Sequence, residues 1–359
     1  MRSWLLVPLL AASLVGVALL ARELLPLRSI LGLTHDARCT PDLLHRRLPD
    51  NSPSEAGLWQ PARRYPIPRD EVRAAVVAGH IYVGTGVRVS GGEFRSLDEL
   101  FRFDPARKTY EGLPDLPERV DHPAFVGHRG ALYVIGGYGD LRPTASVWRF
   151  DPGAGRWTAL EPMRVARGSP AAAAIGDRIY VTGGSQLDRG AGSNGSRSLE
   201  IYDIDTGVWI QGEDMLTPRH HHGAAALNGE LYVVGGRGRD DLSLDAVERF
   251  DPAEARWDRL PPLPLGAGGL AVVAAAGMVI AIAGGDDGES WVTPATWAFD
   301  PDDGLWQRLA DLNVARHGHG AAAVGSDVYV FAGAPCPGYG HTDAVESLRP
   351  SAATQAGSP

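Results

Sequence analysis

Several common features are scarce or missing in this chain of 359 residues. Lys108 is the only lysine among 34 basic residues, a bias that favours a GC-rich, bacterial genome as the source. The formal net charge is −9, which does not favour contact with a phosphate backbone, so no nucleic-acid partner is expected. GxSxG, HExxH and P-loop motifs are absent from the sequence, and with them the local motifs of several hydrolases and nucleotide-binding enzymes.

Cysteine is also scarce. The two cysteines, Cys39 and Cys336, belong to no CxxC pair and to no zinc-type spacing. A metal site made of cysteine is therefore excluded, and we expect no cofactor. In an exported chain Cys39 and Cys336 are candidates for one disulfide between the N-terminal stem and the last repeat, worth about 4–5 kcal/mol for so long a loop. Two unpaired thiols are the alternative.

One segment is apolar enough for a membrane. Residues 3–21 carry no charged side chain, and this length lies between a secretory apolar region of about 7–15 residues and a spanning helix of about 17–25. The sequence favours an uncleaved N-terminal hydrophobic helix that acts as a signal anchor. A signal peptide cleaved after Ala18 is the alternative. In both cases the rest of the chain is expected in the periplasm or outside the cell.

A cassette of about fifty residues recurs along most of the chain. Its first landmark is a pair of small residues, mostly glycine, at the end of a short apolar run. The pairs are Thr85-Gly86, Gly136-Gly137, Gly183-Gly184, Gly235-Gly236, Gly284-Gly285 and Ala332-Gly333. Their second positions are 47–52 residues apart, which gives six copies.

The second landmark is an aromatic residue followed by Asp, usually with Pro, and a further aromatic residue six positions after the Asp. The Asp residues are Asp104, Asp151, Asp203, Asp251 and Asp300, and the later aromatic residues are Tyr110, Trp157, Trp209, Trp257 and Trp306. Short apolar runs separated by turns such as Asn228-Gly229 are typical of hairpins, and Asp-Pro ends a strand. Each copy therefore predicts a four-stranded sheet.

The paired glycine, the Tyr-type aromatic and the spaced Trp resemble the kelch repeat, and the resemblance covers about 290 residues, at about fifty for each blade. It implies an all-β fold, a six-bladed kelch-type β-propeller. It implies no particular activity, because kelch propellers serve as adaptors, enzymes and carbohydrate-handling proteins.

The ends of the repeat region predict how the ring closes. The sixth copy lacks an aromatic residue to begin a fourth strand, whereas Trp59 precedes the first copy without three partner strands. We therefore expect an N-terminal strand around Trp59 to complete the last blade. The chain then divides into a signal anchor or signal peptide (1–24), a stem (25–56), the propeller (57–350) and a disordered tail (351–359).

Arginine recurs at one position of the repeat. Counting 13 residues back from the Tyr of the second strand reaches an arginine in four copies, and a fifth fits with one extra residue. These are Arg69, Arg167, Arg219, Arg316 and, with the extra residue, Arg119. A ring of guanidinium groups at the channel mouth would bind carboxylates of an acidic sugar or peptide. The structural alternative is that each arginine satisfies loop carbonyls.

Histidines follow three residues after these arginines in alternate copies, at His122, His222 and His319. This threefold pattern places them among the candidate ligand-binding residues. Packing within the repeat is favoured over metal ligation, and no metal site is expected. His220, His221 and His317 are expected to be ordinary surface or packing residues. The acidic groups Asp240-Asp241 and Asp286-Asp287 with Glu289 are interpreted as solvated loop charges, and Gly190–Gly195 as a chance match to a dinucleotide motif.

These observations favour a non-enzymatic propeller at the cell envelope that binds a protein or an acidic saccharide through one face, with the membrane contacted by the N-terminal segment. The alternative is an exported enzyme similar to the sialic-acid mutarotases, which are also exported kelch propellers. The resemblance to them ends at the repeat, so catalytic residues stay unknown. Galactose oxidase is a further kelch relative, but Cys336, Tyr339 and His341 match its copper site too weakly to adopt.

Overall fold

The computed structural model describes residues 57–90, 93–188, 195–286, 291–338 and 340–350. These residues form an all-β fold with six four-stranded antiparallel sheets. Within the described ranges, the helical content is the 3₁₀ turn Arg239–Asp241. The six-bladed propeller predicted from the repeat is confirmed.

Five blades take their four strands in chain order. Blade 1 contains β2 (Arg73–Val77), β3 (His80–Gly84), β6 (Leu100–Asp104) and β7 (Thr109–Leu113). Blade 2 contains β8 (Ala124–His128), β9 (Ala131–Ile135), β12 (Val147–Asp151) and β13 (Arg156–Ala159). Blade 3 contains β14 (Ala171–Ile175), β15 (Arg178–Thr182), β16 (Leu199–Asp203) and β17 (Val208–Gln211).

The remaining three blades have the same arrangement, except that the N-terminal strand supplies the fourth strand of blade 6. Blade 4 contains β18 (Gly223–Leu227), β19 (Glu230–Val234), β20 (Val247–Asp251) and β21 (Arg256–Leu260). Blade 5 contains β22 (Ala271–Ala275), β23 (Met278–Ile282), β26 (Thr296–Asp300) and β27 (Leu305–Leu309). Blade 6 contains β28 (Gly320–Val324), β29 (Asp327–Phe331), β30 (Val345–Leu348) and β1 (Gln60–Pro61).

The first strand of each blade is innermost, because each of these strands packs against the first strand of the next blade and β28 packs against β2. Consecutive strands are antiparallel, so the loops between second and third strands open on the same face as the connections between blades. We call this the loop face. Three of its loops carry short hairpins: β4 (Val87–Ser90) with β5 (Glu93–Ser96), β10 (Tyr138–Gly139) with β11 (Arg142–Pro143), and β24 (Gly285–Asp286) with β25 (Trp291–Val292).

The small-residue pairs end the second strands, as predicted, and the first member of each pair has positive φ even where it is Thr85, Ala283 or Ala332. In blade 5 the pair lies one residue earlier than the sequence pattern predicts. Ala283 and Gly284 have φ of 53° and 106°, whereas Gly285 belongs to β24. The second position permits close approach: a Cβ on Gly137 would lie 2.6 Å from the carbonyl oxygen of Asp121.

Blade 6 is completed by the N-terminal segment. In β1, Gln60 pairs with Ser347 and Pro61 with Glu346 of β30. Trp59 is buried in the apolar cluster between blades 5 and 6. The closure predicted from the lone Trp59 is therefore confirmed.

The core is divided among the six joints between neighbouring blades. Each joint holds one cluster of buried apolar side chains, such as Tyr180 and Leu199 of blade 3 against Leu231 and Phe250 of blade 4. No single blade could bury both of its faces, so the closed ring supplies the burial that stabilises every sheet.

Three sequence-based expectations fall on residues outside the described ranges. They are the N-terminal hydrophobic helix, the stem and the C-terminal tail, and each stays a prediction. Among the described residues, no helix has the length and apolar character needed to cross a membrane. Cys336 is in a disulfide bond, but Cys39 lies outside the described residues, so their pairing also stays a prediction.

Candidate functional site

A ring of six residues surrounds the channel axis at the loop face. Each blade contributes one residue with φ between 51° and 63°, two positions before its first strand begins. The six residues, which we call the axial ring, are Glu71, His122, Ser169, His221, Gly269 and Gly318. Main-chain bonds join neighbours: the N–H of Gly269 donates to the carbonyl of His221, and the N–H of Gly318 to that of Gly269, both at 2.9 Å.

The side chains of the axial ring meet near the axis. Nε2 of His122 lies 3.0 Å from Oε2 of Glu71. The imidazole of His122 also stands edge-on to that of His221, two blades away, with ring centroids 4.9 Å apart. His221 is in turn 3.1 Å from the hydroxyl of Ser169. The ring therefore gathers ionisable groups from different blades at one point.

A second layer of polar side chains lies one residue earlier in blades 1, 2, 4 and 6. Oδ1 of Asp121 is 2.6 Å from Nδ1 of His122, and its Oδ2 accepts a hydrogen bond from Ser96 of the β4–β5 hairpin at 2.6 Å. In blade 4, Nε2 of His220 is 3.3 Å from Oδ1 of Asp241. Loops of the loop face therefore contact the groups around the axial ring.

Burial and neighbouring charge have opposite effects on the pKa of Glu71. Burial alone would raise the pKa of this carboxyl, but the attraction of His122, Arg73 and His317 holds the pKa well below its usual range. Glu71 is therefore a buried carboxylate held among cationic and imidazole groups. At His220, burial lowers the pKa, and the nearby Asp241 carboxylate only partly opposes this effect.

The arginine ring predicted at the channel mouth is corrected by the structure. The side chains of Arg69, Arg167, Arg219 and Arg316 are fully buried. Nη1 of Arg219, for example, donates to the carbonyls of Gly235 and Ala246 at 2.8 and 2.7 Å. Such guanidinium groups cannot reach a ligand in this conformation. They donate hydrogen bonds to carbonyls at the end of the second strand and in the loop that follows it. This is the alternative in which each arginine satisfies loop carbonyls.

The sequence did not lead us to the glutamates that pair with these arginines. Nη2 of Arg219 donates to Oε1 of Glu248 at 2.6 Å, and the same pair recurs as Arg167–Glu200 and Arg316–Glu346. The other oxygen of Glu248 accepts the main-chain N–H of Leu216 at 2.8 Å. A signal was present, because Glu200 and Glu248 each stand three residues before the third-strand Asp in blades that carry the arginine.

Blade 2 departs from this pattern. Arg119 is exposed, and its Nε donates to Asp98 at 3.1 Å. Asp121 forms an isolated β-bridge with Tyr138, as Asp70 does with Val87. Val120 therefore occupies the position that holds arginine in blades 1, 3, 4 and 6. The same register places His122 in the axial ring, one position before His222 and His319. The predicted threefold histidine pattern is therefore wrong, because the hairpin of blade 2 contains no extra residue and Arg119 lies one position before the recurring arginine.

His222 and His319 instead line the channel below the axial ring. Here a cavity of about 100 Å³ is bounded by one small residue from each first strand. These residues are Ala74, Ala124, Ala171, Gly223, Ala271 and Gly320. Burial lowers the pKa of both histidines well below the ordinary value, and nearby arginines lower it further. Both side chains are therefore neutral near pH 7.

His220, His221 and His317 were expected to be surface or packing residues, and the structure places none of them at an open surface position. His220 and His317 are buried, and His221 belongs to the axial ring. Asp241 contacts His220, whereas Asp287, Glu289 and the core of the Gly190–Gly195 loop lie outside the described residues. Tyr339 also lies outside them, and His341 accepts the N–H of Val89 at 2.9 Å.

Exposed apolar side chains mark the loop face of blades 2–4. Leu141, Leu187 and Leu242 stand in the loops between second and third strands of three consecutive blades, and they are 45%, 40% and 58% exposed. Val165 and Leu216, in the connections before blades 3 and 4, are exposed on the same face. Apolar side chains grouped on one face are typical of a surface that binds a protein.

Comparison with known proteins agrees with this architecture. A family model described as the KLHDC2/KLHL20/DRC7 Kelch-repeats domain matches residues 115–267 and 166–333, which together span more than half of the chain. Kelch-like protein 35 of Mus musculus is 31% identical over 47% of this chain and 28% of its own length. Kelch-like protein terF of Aspergillus terreus is 32% identical over 45% of this chain and 36% of its own length.

The human Kelch repeat and BTB domain-containing protein 13 is 28% identical over 58% of this chain and 44% of its own length. The chain thus spans well under half of the length of these curated relatives. They are animal and fungal proteins, so the bacterial origin expected from the lysine content gains no support from them. The repeat, the blades and the matched model agree, and the chain belongs to the kelch-repeat family.

Proposed function

We propose that this propeller is a non-enzymatic binding module that engages a protein partner through the loop face of blades 2–4. The observation that carries the proposal is the set of three exposed leucines, Leu141, Leu187 and Leu242, on consecutive loops of that face. Such side chains contribute little to the fold and bury apolar area when a partner covers them. The kelch-like relatives support a protein-binding role.

The acidic-saccharide ligand is not part of this proposal. It depended on the recurring arginines, and four of them are buried in contacts with carbonyls and carboxylates. The same burial removes the main argument for an enzyme similar to sialic-acid mutarotase. A protein partner depends instead on side chains that solvent reaches.

We further propose that the module works at the cell envelope. The support is the uncharged run of residues 3–21, which lies outside the described residues, together with the disulfide bond at Cys336. Disulfides persist in oxidising compartments such as the periplasm. Labelling of Cys336 in intact and permeabilised cells, with and without reductant, tests this location.

Capture by the full-length chain tests the binding function. Wild-type protein is cross-linked in its native membrane fraction and compared with the triple variant L141S/L187S/L242S. The matched control is L58S/V208S/L305S, which replaces side chains that are 72%, 52% and 64% exposed away from the loop clusters. We expect one partner to be captured by wild type and control and lost from the loop variant.

Shortening the loop 185–198 of blade 3 should weaken the same capture. Equal capture by the wild type and the loop variant would contradict the proposed surface. A second assay, the rate of sialic-acid anomer equilibration, addresses the enzyme alternative, since acceleration by wild-type protein would contradict a non-enzymatic role.

A further inference from the structure

We propose that Asp70, Glu71 and His317 form a binding site for one divalent first-row transition ion, such as Zn²⁺ or Mn²⁺, at the joint between blades 1 and 6. The two carboxylates precede the first strand of blade 1, and the imidazole precedes that of blade 6. All three side chains are buried, and one ligand atom of each lies within 4.8 Å of the others. Atoms bound to one such ion stand about 3–4 Å apart, given bonds near 2.1 Å.

The hydrogen bonding of His317 points its lone pair into this site. Its Nε2 lies 3.0 Å from the carbonyl oxygen of Cys336, so this nitrogen carries the proton and donates it. Nδ1 is then the acceptor nitrogen, and it has no hydrogen-bond partner among the described residues. It lies 3.8 Å from Oε1 of Glu71. A metal-binding histidine has this arrangement, with its second nitrogen fixed by a carbonyl.

Two neighbours of Glu71 approach one oxygen of its carboxylate and leave the other oxygen facing the proposed site. His122 and Arg73 both approach Oε2, at 3.0 and 3.4 Å, whereas Oε1 faces His317. In this tautomer the lone pair of Nδ1 faces the negative oxygen Oε1 across the buried gap. A cation between them would attract both atoms in a medium of low dielectric.

Gly318 keeps the gap open. A Cβ on Gly318 would overlap Oδ1 of Asp70 and lie 2.7 Å from Oε1 of Glu71. Gly269 has the same place in blade 5 and a similar φ, 63° against 60°, but a Cβ there would lie 3.3 Å or more from its neighbours. The glycine of blade 6 therefore leaves room beside two carboxylates, whereas the side chain nearest to the glycine of blade 5 is that of His317.

The types of ligand atom indicate which class of ion the site would bind. Two carboxylate oxygens and one imidazole nitrogen suit Zn²⁺, Mn²⁺ and similar ions, whereas Ca²⁺ and Mg²⁺ prefer oxygen alone. The ion would join the first strands of blades 1 and 6, β2 and β28, which lie at opposite ends of the repeat region. This inference is independent of the proposed partner surface.

Untagged full-length protein, stripped with EDTA and desalted, is titrated with ZnCl₂ and MnCl₂ by calorimetry and by thermal unfolding. We expect one ion per chain and a melting temperature raised by about 5 °C when the ion is at a hundred times its dissociation constant. Glu71→Gln and His317→Gln should each weaken binding at least about tenfold.

Gly318→Ala and Gly325→Ala separate metal binding from folding, because both place a Cβ on left-handed backbone with φ of 60°, and nothing lies within 4 Å of the Cβ added at Gly325. Only Gly318→Ala should lose affinity for the ion. The proposal is overturned if the wild type binds no ion, if His317→Gln binds as tightly as the wild type, or if both alanine variants lose affinity equally.

Discussion

The indole Nε1 of Trp59 donates to the carbonyl oxygen of Ala310, 3.0 Å away and 251 positions along the chain. The other blades repeat this bond from the aromatic residue of the fourth strand to the end of the preceding blade. The pairs are Tyr110–Arg63, Trp157–Pro114, Trp209–Glu161, Trp257–Glu213 and Trp306–Pro261. Blade 6 therefore closes the ring with the same contact that joins blades elsewhere.

Replacing Trp59 tests whether this contact holds the ring closed. Trp59→Ala removes a buried indole from the joint of blades 5 and 6, and we expect a loss of about 3–5 kcal/mol in the free energy of unfolding. Trp59→Phe keeps most of the apolar volume but leaves the Ala310 carbonyl without its donor, at a cost of about 1–3 kcal/mol. Urea unfolding measures both values.

Trp306→Ala is the matched control, because Trp306 makes the same bond but is less buried. It should cost less than Trp59→Ala. A Trp59→Ala protein as stable as the wild type would mean that β1 adds nothing to the closure.

The Arg219–Glu248 pair is the subject of a second prediction. Arg219→Met leaves the buried Glu248 carboxylate without its cation and frees the carbonyls of Gly235 and Ala246. We expect a loss of about 3–5 kcal/mol. The double variant R219M/E248L should lose less than the sum of the single variants, because it leaves no buried charge behind.

Arg119→Ala serves as the control for this pair. Arg119 is exposed and paired with Asp98, so its loss should cost about 0–1 kcal/mol. Additive losses in the double variant would contradict a direct coupling between Arg219 and Glu248.

The fold could be predicted because its determinants are local and repeated. Glycine pairs, Asp-Pro turns and the spaced Trp each act within one blade, and Trp59 without partner strands was enough to predict the closure. The placement of Arg219 could not be predicted from spacing alone. Its direction depends on Glu248, which is distant in sequence and adjacent only in the folded blade.

The axial ring was missed for a related reason. Glu71, His122 and His221 come together only because six blades share one axis. The hairpin of blade 2 has the same length as those of the other blades, so counting from Arg119 as if it held one extra residue placed His122 one position too late in the repeat. Spacing therefore indicated which part of the repeat approaches the axis, but the register of one blade decided which side chains meet there.

Two strand glycines give a third prediction. A Cβ on Gly127 in β8 would overlap the carbonyl oxygen of Val76 in the neighbouring blade and lie 2.7 Å from its carbonyl carbon. Gly127→Ala must therefore move two first strands apart, and we expect a loss of about 1–3 kcal/mol, as for overpacking. Circular dichroism during urea unfolding measures it.

Gly112→Ala is the control for Gly127→Ala. Gly112 lies in β7, and the nearest atom to its added Cβ is 4.0 Å away on Phe101. Since the alanine restricts the unfolded chain, this variant should be neutral or more stable by up to about 1 kcal/mol. Equal destabilisation of both variants would argue against close approach as the cause.

The fourth prediction concerns acid stability and His222. Nε2 of His222 lies 2.9 Å from the hydroxyl of Thr182, and burial, with Arg219, His220 and Arg167 nearby, holds its pKa well below the ordinary value. The unfolded chain therefore binds a proton below a pH of about 6.5 that the folded chain does not bind. Stability is retained above that pH and falls as the pH decreases, by up to about 1.4 kcal/mol per unit for this group.

His222→Gln tests this assignment, because the amide can donate to Thr182 but does not titrate. The free energy of unfolding of the variant, measured between pH 7.5 and 5.0, should fall less steeply than that of the wild type. His80→Gln, at a less buried histidine of blade 1, is the control for replacing a histidine outside the channel. If His222→Gln keeps the wild-type slope, other groups carry the acid sensitivity and folding does not lower the pKa of His222.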